Sequence, residues 1–169
     1  MKKPGLLLLT ISIVFLTSCK KDDKADTPEV AVKIGATAPD FNLKDSGGTF
    51  HKLSDFRGQY VVLDFWAAWC GICRTENPKM QSLYTKYQNK NVQFIGACLD
   101  ANTDNWLKAV QNDGLTYLQL HDEEAFESEV AKTYGINMVP FMMLLDEAGK
   151  ILTFTSRVAD IESRLVSEI

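Results

Sequence analysis

Histidine is scarce in this chain, and no second cysteine pair accompanies the first. There are two histidines, His51 and His121, in unrelated segments, and four cysteines, Cys19, Cys70, Cys73 and Cys98. A zinc site needs about four N/S ligands at suitable spacing. One Cys-x-x-Cys without a His-x₃₋₅-His does not supply them, so no metal is expected. Basic stripes are also missing, and the net charge of −4 makes nucleic acid an unsuitable partner. There is no low-complexity block. The only long apolar run, Leu6 to Leu16, falls well short of the roughly 20 residues of a bilayer span.

What is there begins with that short run. Lys2 and Lys3 precede it, which predicts a secretory signal over residues 1–18. It ends on Leu16-Thr17-Ser18-Cys19, which resembles the lipobox of bacterial lipoproteins. That resemblance implies a lipid on Cys19 and a membrane anchor. Residues 20–33 are polar and poor in large apolar side chains, so 19–33 reads as a lipidated flexible tether. Lys20-Lys21-Asp22-Asp23 weakly resembles a surface-export signal of some Gram-negative lipoproteins; a solvated linker is the plainer reading. The expected location is a bacterial membrane, facing the periplasm, with exposure at the cell surface as the variant.

The remaining 34–169 reads as one domain, of the size that buries a single core. Its centre is Val61-Val62-Leu63-Asp64-Phe65-Trp66-Ala67-Ala68-Trp69-Cys70-Gly71-Ile72-Cys73. The β-prone run predicts a buried strand from Tyr60 to Phe65. Met80, Leu83, Tyr84 and Tyr87 then repeat at helical spacing within a helix expected over Arg74 to Gln88, with Pro78 as a kink. Cys70 thus stands where a strand ends and a helix begins. Unpaired backbone N–H groups and the helix dipole favour a thiolate there. Cys73 lies one turn deeper, close enough to bond to it. Cys70 is the candidate nucleophile and Cys73 the resolving thiol, a reversible dithiol/disulfide switch that needs no other cofactor.

Other elements follow by pattern. Phe41 and Leu43, then Phe50 and Leu53, flank Ser46-Gly47-Gly48 as an N-terminal hairpin. Ser54 is expected to cap a short helical turn. Strands are expected at 92–99, 115–120, 141–145 and 151–155. Helices are expected at 103–112, with Trp106, Leu107 and Val110 on one side, at 123–134 with Phe126 and Val130, and at 161–166. Alternating strands and helices with a final hairpin predict an α/β fold with a mainly parallel central sheet and antiparallel edges.

Ala38-Pro39-Asp40-Phe41-Asn42-Leu43, Leu53 to Gly58, the tryptophan-preceded Cys70-Gly71-Ile72-Cys73, Glu76, Pro78 and Val139-Pro140 together carry a family likeness. The chain from about Ile34 onward resembles the three-layer thioredoxin-like fold. It is most similar to the TlpA/ResA-type exported thiol–disulfide oxidoreductases of the AhpC/TSA–redoxin superfamily. The resemblance implies protein thiol or disulfide clients, apocytochrome c before haem attachment among them, and an unidentified membrane or periplasmic electron donor. A monomer is expected. By the same likeness, Asp64 is a buried acid that helps deprotonate Cys73, and Glu76 tunes the thiols. Pro140 follows a cis bond that presents Val139 to the client. Trp69, Gly71, Ile72, Val139 and Pro140 are the expected client-contacting residues.

Plainer readings stand beside these. Asp64 could face solvent at a sheet edge, Glu76 could be an ordinary first-turn glutamate, Pro140 could be trans, and Cys98 is either a small buried hydrophobe or a third redox thiol. The group resemblance favours a reductant, although no proline precedes Cys73 as it does in the commoner pattern. Two other functions compete. One is a thiol peroxidase of the peroxiredoxin type, although Ala67 stands where that family places threonine. The other is a non-enzymatic anchored module with a structural disulfide.

Overall fold

The computed structural model describes residues 31–169. The expected signal peptide, Cys19 and most of the expected tether lie outside the described residues. Chain order is β1 (Asn42–Asp45), β2 (Phe50–Lys52), β3 (Tyr60–Trp66), α1 (Gly71–Tyr87), β4 (Val92–Leu99), α2 (Thr103–Asn112), β5 (Leu118–Asp122), α3 (Glu129–Tyr134), β6 (Phe141–Leu145), β7 (Ile151–Thr155) and α4 (Val158–Val166). Short 3-10 turns cover Leu53–Phe56 and Ala125–Glu127.

The strands form one mixed sheet in the order β2-β1-β5-β4-β3-β6-β7. Its middle three strands, β5, β4 and β3, are parallel, and hairpins extend it antiparallel on both flanks. Strand alternation sends Val62 and Trp66 to one face and Val61, Leu63 and Phe65 to the other. The first face buries Cys73, Met80 and Leu83 of α1, Trp106 of α2 and Ile161 and Leu165 of α4. The second buries Ala131 and Tyr134 of α3 with Phe41 and Leu53 from the N-terminal segment. A sheet between two helical layers follows, because both faces of β3 and β4 are apolar.

Helices α1 and α4 each begin three residues earlier than expected, at Gly71 and Val158, and four further local expectations are corrected. Ser54 lies inside its 3-10 turn and is not the cap; its hydroxyl donates to Asp40 Oδ2 at 2.8 Å. Residues 123–134 are not one helix. Ala125 takes φ +51°, which breaks the run, and Ser128 caps α3 by accepting the Ala131 N–H at 3.0 Å. The third parallel strand is Leu118–Asp122, because its pairing to β4 and β1 continues through His121. On α2, Trp106 and Ala109 face the core, whereas Leu107 is 40% exposed. Pro78 lies within α1, whose helix continues past it to Tyr87.

Candidate active site

The site stands at the C-terminal end of β3, at the point where the chain turns into α1. Cys70 is the N-cap of α1, with extended backbone, and its Sγ accepts the Cys73 N–H at 3.1 Å. A sulfur at that position receives an otherwise unpaired helix donor and the positive end of a 17-residue helix. Both effects favour thiolate over thiol. Cys70 and Cys73 are joined by a disulfide with Cα atoms 5.2 Å apart. Cys73 is fully buried, and Cys70 is the outer of the two.

Val139-Pro140 is cis, as the family likeness implied, and Val139 O lies 3.5 Å from Cys70 Sγ. Around this point the surface is apolar and open. Trp69 is 61% exposed, Ile72 67% and Met138 70%. Exposed large apolar side chains gathered at one place mark a contact surface. Trp69 is braced by Phe126, ring centroids 6.0 Å apart. Gly71 is the first residue of α1, and the space where its Cβ would stand is empty. Sequence reasoning missed Met138; a large apolar residue two places before the proline was the available signal.

It also missed Arg74 and its partners. The guanidinium is bidentate to Asp113, through Nε to Oδ2 and Nη2 to Oδ1, and Nη1–H donates to Ala68 O at 3.4 Å. Asn77 Nδ2–H donates to the same carboxylate at 2.7 Å. The first turn of α1 is thereby tied to the end of α2 and to the loop before Cys70. The partner lies 39 residues away in the chain, which no local pattern could reveal.

Asp64 is 1% exposed, in the interior of the sheet and not at its edge. Alternation with Val62 and Trp66 turns it toward the face that holds both cysteines. Neither carboxylate oxygen has a hydrogen-bond partner among the described residues. Burial pushes its pKa up to about 7, and the nearby charge of Glu76 adds to the rise. Glu76 is also buried, on α1. Its Oε2 accepts the Val158 N–H at 2.9 Å, and its Oε1 accepts from Lys79. Burial works to raise its pKa, but the Lys79 and Val158 bonds and the Lys79 and Arg157 charges outweigh it, and the net direction is down. One acid is therefore held ionised beside another held near neutrality.

Cys98 is a free, fully buried thiol at the end of β4. Burial drives its pKa up, with Asp100 and Asp64 adding and an Ala68 backbone contact opposing. Such burial disfavours the thiolate that disulfide exchange requires. His121 is buried, stacks on Trp106 at 4.5 Å and bonds to Asp100 O at 2.7 Å. His51 pairs with Asp45 at 3.0 Å.

A groove of about 530 Å³ between the N-terminal hairpin and residues 121–133 contains none of these redox residues. Beside the cysteines, the hollow lined by Ala68, Trp69 and Arg74 measures about 210 Å³, below the usual range of small-ligand pockets. The cysteines are reached from an open, apolar face suited to a polypeptide.

Residues 34–153 match the AhpC/TSA family. The thiol–disulfide oxidoreductase ResA of Geobacillus thermodenitrificans (strain NG80-2) is 37% identical over 144 residues, covering 83% of this chain and 81% of its own. ResA of Bacillus cereus (strain ATCC 10987 / NRS 248) is 35% identical over 157 residues, covering 90% of this chain and 88% of its own. Among solved structures, the thioredoxin domain of a thiol-disulfide oxidoreductase from Bacteroides vulgatus superposes with a TM-score of 0.76 at 29% identity, covering 81% of this chain and 98% of that one. A thiol-disulfide oxidoreductase from Bacteroides fragilis NCTC 9343 gives 0.74 at 32%, covering 79% and 99%. The fold described above is thioredoxin-like.

Proposed function

The chain belongs to the AhpC/TSA family as a thiol–disulfide oxidoreductase of the TlpA/ResA type, and from that premise we propose that it reduces disulfides of extracytoplasmic protein clients from a lipid anchor. The observation that carries this reading is the placement of Cys70. It is an N-cap sulfur bonded to Cys73, beside the Val139 carbonyl and ringed by exposed Trp69, Ile72 and Met138.

In the reduced enzyme the Cys70 thiolate attacks one sulfur of a client disulfide. A Cys70–client bond forms, the client S–S bond breaks, and one client thiolate leaves. The Val139 carbonyl and the apolar ring align an extended client segment, by strand-like pairing and burial. Asp64 then takes the proton of Cys73, whose thiolate attacks Cys70 Sγ and expels the second client thiolate. The client gains two electrons and the enzyme ends as the Cys70–Cys73 disulfide. An extracytoplasmic dithiol donor returns those electrons by the reverse exchange. Apocytochromes c awaiting haem are the client class that the family likeness supplies.

Trapping tests the assignment of roles. Cys73→Ala should accumulate clients as mixed disulfides on Cys70, and Cys70→Ala few, on non-reducing gels. Equal trapping by both variants would remove the assigned roles. The anchor has its own check. Membrane-extracted protein should show acyl chains on Cys19 by intact mass, and a mature form beginning elsewhere without lipid would contradict it.

A further inference from the structure

Behind the disulfide, one cross-strand row runs from Asp64 on β3 through Gly96 on β4 to Gln119 on β5. Strands lie about 4.8 Å apart, so the backbones of Asp64 and Gln119 are about 10 Å apart. A side chain on β4 would normally fill that interval. Gly96 has none, and Gln119 lies across it; a Cβ on Gly96 would stand 2.4 Å from Gln119 Oε1. The amide is oriented from one side, because the Trp66 Nε1–H donates to Oε1 at 3.2 Å. That bond leaves Nε2 as the donor end of the amide, which also approaches the Tyr117 hydroxyl and works against the rise in that group's pKa. Nε2 is buried without a partner among the described residues, and so are both oxygens of Asp64. One orphan donor and two orphan acceptors thus share a single buried row. Orphan polar groups are costly in an interior, and an amide N–H is what a buried carboxylate requires when it ionises.

We propose that Gln119 is a positioning residue of the redox site: laid across Gly96 and fixed by Trp66, its amide is the hydrogen-bond donor for the Asp64 carboxylate once that group loses its proton. The proposal rests on Asp64 as the proton acceptor for Cys73. It supplies what that role lacks, a means of steadying the charge in each cycle. Glycine at position 96 is then part of the site, since any larger residue would displace the amide.

The other groups bearing on Asp64 leave this role open. Glu76 on α1 is ionised and opposes a second negative charge. Cys98 on β4 and Tyr117 before β5 are driven toward their neutral forms by burial. Cys73 is in the disulfide. On β6 the paired residue is Met142, and α4 turns Val158, Ile161 and Leu165 inward, with Arg157 acting on Glu76. Among the described residues, the Tyr117 hydroxyl, which feels the Asp64 charge and is itself approached by Gln119, is the competing donor.

The test is a carboxyl ¹³C NMR titration of the purified, disulfide-bonded protein, with Asp64→Asn used to assign the signal. A donor to the charged form lowers a pKa, so removing it raises the midpoint. Gln119→Met keeps the length and removes the amide, and Gly96→Ala displaces it. In each variant the Asp64 midpoint should rise by about one pH unit or more, a tenfold tighter hold on the proton. If Gln119→Met does not fold, Gly96→Ala decides alone. An unchanged or lowered midpoint in a folded variant overturns the proposal, as does a rise seen only with Tyr117→Phe. The measurement needs no turnover. A moved midpoint with failed client trapping would sink the redox reading alone, and trapping with an unmoved midpoint would sink this one alone.

Discussion

At the residue scale, the site is governed by two acids with opposite tendencies. Asp64 is buried with no hydrogen-bond partner among the described residues, and its pKa is raised to about 7 from 3.8. A raised carboxylate pKa means that the folded state holds the proton more tightly than the unfolded chain. The resulting stabilisation is fully present below about pH 3.8 and is lost as pH climbs through about 7. Above that, the ionised group is a standing cost. Asp64→Asn should therefore raise stability of the oxidised form by about 1–3 kcal/mol at pH 8, and this advantage should shrink toward pH 5. The same variant should slow resolution of mixed disulfides. Denaturant unfolding at both pH values, paired with the resolution rate, checks this; a destabilised variant with unchanged resolution would make Asp64 structural. Sequence alone made Asp64 legible, because a lone acid in an apolar strand is conspicuous. Gln119 was not legible, since its role depends on a glycine in a neighbouring strand.

At the scale of elements, α1 carries most of the machinery. It presents Cys73, Glu76 and Asn77 on its buried side, carries the partly exposed Arg74 and is started by Cys70. Glu76 also begins α4: Arg157 offers that helix no side-chain cap, and the Glu76 carboxylate receives the first N–H in its place. Removing the acceptor should cost about 1–2 kcal/mol. Glu76→Ala is expected to show that loss at pH 7. Glu76→Gln, which keeps an acceptor oxygen, should lose less. Both should lower the Asp64 midpoint by removing a neighbouring charge. Because the Glu76 pKa is depressed, its contribution is present above its ordinary 4.5 and fades as pH falls below that value. Unfolding at pH 7 and pH 3 would register it; equal losses at both would contradict the ionised assignment.

Element boundaries were legible where one signal dominated. Apolar runs placed β4, β6 and β7 at their observed limits, and helical spacing placed α2. The 123–134 segment misled because Phe126 and Val130 have helical spacing. Phe126 instead braces Trp69, a tertiary contact that overrides the local period. The α1 start was misplaced by three residues because Gly71-Ile72-Cys73 lacks helix-forming signals and is helical by virtue of the Cys70 cap.

At the scale of the whole molecule, one sheet with two covered faces holds a single turn rigid at its end. The parallel strands β3 and β4 are apolar on both faces, so neither can move without exposing core. Trp69, Ile72 and Met138 remain outside that core, free to be covered by a client. Architecture and switch were readable from the chain because the cysteine pair, its tryptophan and its strand are contiguous. The second acid's tie to α4 and the Arg74–Asp113 clasp were not, being made by residues far apart in sequence.

The central claim is that Cys70 and Cys73 form a reversible switch. Equilibrating the protein with glutathione or dithiothreitol buffers of set ratio, and counting thiols on Cys70 and Cys73 by mass, tests it most directly. The account predicts a two-electron transition with a midpoint between about −270 and −120 mV, abolished in either cysteine variant. A pair that stays oxidised below about −300 mV would be a structural disulfide, and would contradict the account.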